Sequence, residues 1–185
     1  MNLDAQEFLD LVEESGKIVF FDLESLGLKG DYNSIICGSF KPYGEDPYTI
    51  SIKQVSNDQK VVKDIKTELE KYICWVTYYG RGFDLPMVNT RLLRWGISPV
   101  EKRLHIDLYF VLKYGLLTGR KSQAHLLEWL GTPEKKMSVS ASVWSELPFK
   151  MKEHLPVLIE RCESDVEGLE ALYKRTRHLI MDVRK

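Results

Sequence analysis

The stretch that most restricts the fold is Ile73-Cys74-Trp75-Val76-Thr77-Tyr78-Tyr79, a run with no charge and no polar alternation. Such a run reads as a central strand buried on both faces, which requires helices above and below it. It stops at Gly80-Arg81-Gly82. From Asp84 to Trp95 the spacing turns helical, with Pro86 tolerated in the first turn and Leu85, Val88, Leu92 and Leu93 directed inward.

The remaining chain supplies neighbours for that strand. Asp4 to Glu14 reads as a short amphipathic helix with Phe8, Leu11 and Val12 on its apolar stripe, closed by Gly16. Lys17 to Glu24 is the opening strand. Ser34 to Phe40 and Tyr48 to Lys53 follow as two more, and the turn residues Pro42, Gly44 and Pro47 between them favour an antiparallel meander. Asn57 to Tyr72 carries Val61, Val62, Ile65 and Leu69 at helical spacing. Arg103 to Ile106 is a short strand, Asp107 to Leu117 and Ser122 to Leu130 are helices, and Gly131 to Ser142 is a loop long enough to act as a flap. Two helices end the chain, around Trp144 to Met151 and Pro156 to Arg177. Three antiparallel strands followed by βα units imply an α/β fold, a mixed five-stranded sheet flanked by helices. The expected organisation is one domain over 1–185, with the helix at 4–14 leading into a core of about 17–177.

Composition narrows the function. The 185 residues are 44% hydrophobic and carry a formal net charge of −1, enough for one buried core and too balanced for a uniformly basic nucleic-acid coat. Cys37, Cys74 and Cys162 are odd in number and far apart, which fits reduced, buried thiols and neither a zinc pattern nor a disulfide framework. No apolar run approaches the roughly 18 residues that span a bilayer, and the first residues lack a basic, apolar leader. A soluble, cytoplasmic protein without a membrane partner is expected.

The chemistry gathers at strand ends. In Ile18-Val19-Phe20-Phe21-Asp22-Leu23-Glu24 the two acids lie at i and i+2, side by side on one face of a strand. Alone, the pair reads as a solvated strand end; beside further acids it reads as a seat for a hard cation. Asp84 lies just past the central strand and Asp107 just past the next, and open sheets collect reactive groups at the carboxyl ends of central strands. Asp165 borders the apolar stripe of the last helix, so it faces the sheet.

Phe21-Asp22-Leu23-Glu24-Ser25, Tyr79-Gly80-Arg81-Gly82-Phe83-Asp84-Leu85-Pro86, His105-Ile106-Asp107-Leu108 and Cys162-Glu163-Ser164-Asp165-Val166 resemble, in order, the motifs of the DEDD exonucleases. The similarity is greatest to the predicted 3′-to-5′ exonuclease branch related to the proofreading domains of B-family DNA polymerases. It implies a ribonuclease H-like fold and hydrolysis of phosphodiester bonds at a 3′ end of single-stranded DNA or RNA. By this resemblance Asp22, Glu24, Asp84 and Asp165 are the catalytic and metal-binding quartet for two Mg²⁺ or Mn²⁺ ions, and Asp107 is a secondary acid.

One departure stands out. The family places a Tyr four residues, or a His five residues, before the last Asp to position the attacking water; this chain has Arg161 and Glu160 there. A guanidinium is no general base at neutral pH, although it holds phosphates and carboxylates. Either another group such as His154 or the 131–142 loop serves, or the protein is slow or inactive. Arg161, Phe83, Tyr79, Arg81, Arg120 and Lys121 are the candidate substrate contacts, and the stretch from Arg81 to Lys121 is rich in Arg and Lys. Two other readings stay open: a non-catalytic nucleic-acid-binding or scaffold module, and a structure-specific endonuclease. Protein partners are not specified by the sequence.

Overall fold

The computed structural model describes residues 4–181. Helix α1 (Ala5–Glu14) starts with a capping box, Asp4 accepting from the Gln6 and Glu7 amides while Glu7 reaches back to the Asp4 amide. Strands β1 (Ile18–Ser25), β2 (Ile35–Pro42) and β3 (Tyr48–Ser51) form the antiparallel meander. Helix α2 (Gln59–Leu69) leads to β4 (Cys74–Thr77), helix α3 (Asp84–Arg94) to β5 (Leu104–Asp107), and helices α4 (Leu108–Gly115), α5 (Gln123–Trp129), α6 (Ala141–Glu146) and α7 (Met151–Thr176) follow. The strand order is β3-β2-β1-β4-β5, with β4 parallel to both β1 and β5. The mixed five-stranded sheet flanked by helices is the one expected.

Each face of the sheet carries its own core, because side chains alternate along the strands. Val19, Phe21 and Leu23 pack with Val62, Ile65, Val88 and Leu92 of α2 and α3. On the other face Ile18 and Phe20 pack with Val166, Leu169 and Tyr173 of α7. Asp22 and Glu24 continue this second row, so they come to lie beneath α7. All three cysteines are buried and unpaired. Among the described residues, no helix is long and apolar enough to cross a membrane.

The sequence spacing misses in several places. Helix α6 spans Ala141–Glu146 and α7 begins at Met151, whereas the pattern suggested 144–151 and a start at Pro156. Leu147 keeps helical backbone, but Pro148 has no amide to continue the hydrogen-bond ladder and ends the first helix early. Pro156 is carried inside the second at the cost of one amide donor, while Met151 and Leu155 pack on the core. Leu11 and Leu93 are exposed, not inward; Leu9 takes the buried place on α1.

Candidate active site

Strand β1 outruns its parallel neighbour. Its pairing with β4 ends at Phe20↔Val76, while its antiparallel pairing with β2 continues to Ser25. Beyond Phe20 the β1 backbone therefore faces a cleft instead of a strand. Asp84, the first residue of α3, fills part of it, and its Oδ1 accepts from the Leu23 amide at 3.2 Å. Its place at a helix N-terminus suits a carboxylate.

Helix α7 closes the other side. Asp165 is almost fully buried there, and ligand oxygens of Asp22, Glu24 and Asp165 lie within 4.8 Å of one another. Asp165 Oδ1 is buried without a hydrogen-bond partner among the described residues. The helix is held in place by Gln123 of α5, whose Nε2 donates to the Asp165 carbonyl at 2.8 Å. The Cys162 thiol donates to the Asp22 carbonyl oxygen at 3.4 Å and approaches its Oδ2 at 3.6 Å.

Two cations sit among these acids. Arg161 Nε donates to Glu24 Oε1 at 2.5 Å, Nη1 donates to the Met137 carbonyl at 3.0 Å, and the guanidinium lies 5.3 Å from the centre of the Trp144 ring. Lys136 Nζ is 2.8 Å from Asp165 Oδ2. The sequence assigned no role at the acidic cleft to Lys136, Trp144 or Cys162. The signal for the first was present in the 131–142 loop, a long basic connection just ahead of the last motif.

Crowding of carboxylates in a buried cleft favours their protonated forms. Burial first, then the charges of Asp84 and Asp165, push Asp22 well above the ordinary carboxylate range. Asp84 is pushed up to about 7, chiefly by burial, against hydrogen bonds from its own amide and that of Leu23. Glu24 is raised by burial against the pull of Arg161. An oxygen-only donor set with a partnerless buried oxygen and electrostatically strained neighbours fits a divalent cation.

The other sequence candidates divide. Phe83 and Tyr79 line the same cavity, of about 580 Å³, together with Tyr78, Trp144 and the acids. Asp107 stays outside the cluster: it accepts from the Tyr79 and Arg81 amides at 2.8 and 2.9 Å and caps α4 through the Tyr109 amide. It thereby holds the turn in which Tyr79 adopts φ +66°, an unfavourable value for a side-chain-bearing residue. Arg81 borders a separate cavity beside β5 and donates to the His105 carbonyl. Lys121 Nζ is engaged by the Leu116 carbonyl and the Thr118 hydroxyl, and Arg120 is exposed away from the acids. Glu160 faces solvent. His154 pairs with Glu146, and His105, bound to Thr77 Oγ1, is kept neutral by burial, its pKa pushed down to about 3.

A family model of the RNase H superfamily matches residues 19–177, most of the chain. The chain belongs to the RNase H superfamily. No curated protein matches this superfamily member in sequence. Among solved structures its fold is similar to the family B DNA polymerase from the hyperthermophilic archaeon Pyrobaculum calidifontis, with a TM-score of 0.69 and 16% identity. The match covers 85% of this chain and 24% of the polymerase, so this RNase H-like chain spans about a quarter of that protein's length. At that identity the likeness concerns the fold.

Proposed function

We propose that this RNase H superfamily member is a metal-dependent nuclease that hydrolyses phosphodiester bonds at the 3′ ends of single-stranded nucleic acid. The observation that carries the reading is the meeting of Asp22, Glu24, Asp84 and Asp165, from three separate elements, in one cleft. Asp22, Glu24 and Asp165 would hold Mg²⁺ or Mn²⁺, with Asp84 across the cleft. The cation supplies Lewis-acid stabilisation of charge on the scissile phosphate and activation of water.

The chain's own groups do the rest. A cavity of about 580 Å³ falls within the size range of small-ligand pockets and suits a terminal nucleotide. Tyr78, Tyr79, Phe83 and Trp144 offer aromatic surface on its walls for stacking a base. Lys136, partly exposed on its loop, is the cation best placed to meet an incoming phosphate. Arg161 orients Glu24 and takes no proton from water.

A second reading, a nucleic-acid-binding module without catalysis, is favoured by the same two cations seated on the carboxylates. Incubation of 3′-labelled and 5′-labelled single strands of DNA and RNA with Mg²⁺ or Mn²⁺ separates the two. Nucleotide release from the 3′ end that Asp22→Ala abolishes is the expected result. Strand binding without cleavage selects the binding module, and internal cuts select an endonuclease.

A further inference from the structure

We infer that this centre takes up one divalent cation, and that Arg161 stands where the family resemblance calls for the environment of a second. The inference rests on the nuclease reading above. It follows from how the carboxylate oxygens are already engaged. Glu24 Oε1 is bound by Arg161 Nε, Asp84 Oδ1 by the Leu23 amide, Asp165 Oδ2 by Lys136 Nζ, and Asp22 Oδ2 faces the Cys162 thiol. Glu24, Asp84 and Asp165 thus each have one oxygen committed to a protein donor, while the single Cys162 proton lies between the Asp22 carbonyl and its carboxylate. What remains is one oxygen apiece on those three, including the partnerless, buried Asp165 Oδ1, and the carboxylate of Asp22. Such a set, completed by water, serves one small hard cation, whereas a second ion would have to compete with Arg161 for Glu24 Oε1 and with Lys136 for Asp165 Oδ2.

Charge leads to the same count. With a cation bound and all four carboxylates ionised, the guanidinium and the ammonium leave two negative charges, the complement of one divalent ion. Nor is Arg161 easily displaced. Glu24, the Met137 carbonyl and the Trp144 ring hold it from three directions, Asp165 Oδ2 lies 3.9 Å from Nη2, and its side chain is only 19% exposed. A guanidinium also keeps its charge across the whole accessible pH range, so it excludes a neighbouring cation permanently.

Mn²⁺ stoichiometry tests this directly, by calorimetric titration and by the electron paramagnetic resonance spectrum of the bound ion. One Mn²⁺ per wild-type chain, with an isolated-ion spectrum, is expected. Arg161→Gln, checked for folding by circular dichroism, is expected to bind two, with the spectral broadening of an ion pair. Two ions on the wild-type chain would overturn the inference while leaving the nuclease reading intact. One ion on a folded Arg161→Gln would overturn the assignment to Arg161. Should that variant not fold, Arg161→Met, which keeps the length of the side chain and removes its charge, is read the same way. No Mn²⁺ uptake by the wild type overturns the inference, and only if metal-dependent cleavage is also absent does the nuclease reading fall with it.

Discussion

At the scale of single residues, the centre trades stability for charge. Asp22 holds its proton more tightly in the folded chain than in the unfolded one, so its ionisation at neutral pH works against folding. That cost begins as pH rises past the unfolded value near 4 and grows toward the folded value. Asp22→Asn should therefore stabilise the metal-free protein by about 1 kcal/mol, more at pH 8 than at pH 5, as read by urea unfolding. The same change should remove cleavage by more than the roughly 10–100-fold that loss of an outer partner costs a metal site. Asp58 behaves in the opposite sense. Although burial alone would raise it, hydrogen bonds from Arg91, Trp95 and the Ile35 amide outweigh burial and hold it below the ordinary range. Its contribution is complete above the unfolded value near 4 and is lost as pH falls through the folded one. Arg91→Met leaves that buried carboxylate without its partner and should cost about 3–5 kcal/mol in chemical denaturation. Arg91 also donates to the Gly30 carbonyl at 3.0 Å, so this pair anchors the loop that leaves the carboxylate strand.

Among elements, the approach of α5 to α7 decides where Asp165 stands. Gly168 makes the approach close: a Cβ there would lie 2.8 Å from Leu127 Cδ1 and 3.2 Å from Gln123 Nε2. Gly168→Val should drive α5 outward, loosen the Gln123 bond to the Asp165 carbonyl, and cost about 1–3 kcal/mol by overpacking, measurable by thermal or urea unfolding. The turn after β4 depends on a different support. Asp107→Ala strips the acceptor from the Tyr79 and Arg81 amides and releases the strained Tyr79 backbone. A loss of about 2 kcal/mol and weaker binding of a terminal nucleotide are expected, the latter by fluorescence titration with a labelled strand. Asp107 thus acts on the cavity by shaping its wall, not by joining the acidic cluster. Its N-cap role could be read from a strand end followed by helical spacing, but its reach back to Tyr79 required the parallel pairing of β4 with β5.

For the whole molecule, metal and fold are linked. A cation that binds only the folded centre adds stability by mass action, about 2.7 kcal/mol at a hundred times its dissociation constant. Mg²⁺ or Mn²⁺ should raise the melting temperature of the wild type and leave that of Asp22→Asn nearly unchanged, by scanning calorimetry. What the amino-acid order determined alone is the set of elements and the acids at their ends. Alternation, helical spacing and turn residues act over a few positions, so β1, β4, α3 and the place of Asp22, Glu24, Asp84 and Asp165 on them were legible. The helices near Pro148 and Pro156 were misjudged because Pro148 ends the first early, while the packing of Met151 and Leu155 carries the second through Pro156. Only the tertiary structure decided which charges meet: Arg161 on Glu24, Lys136 on Asp165, and Asp107 on a backbone turn. Those contacts join residues far apart in the chain. Their partners are chosen by how α7 and the 131–140 segment lie over the sheet and by the pairing of β4 with β5, a geometry that no local pattern encodes.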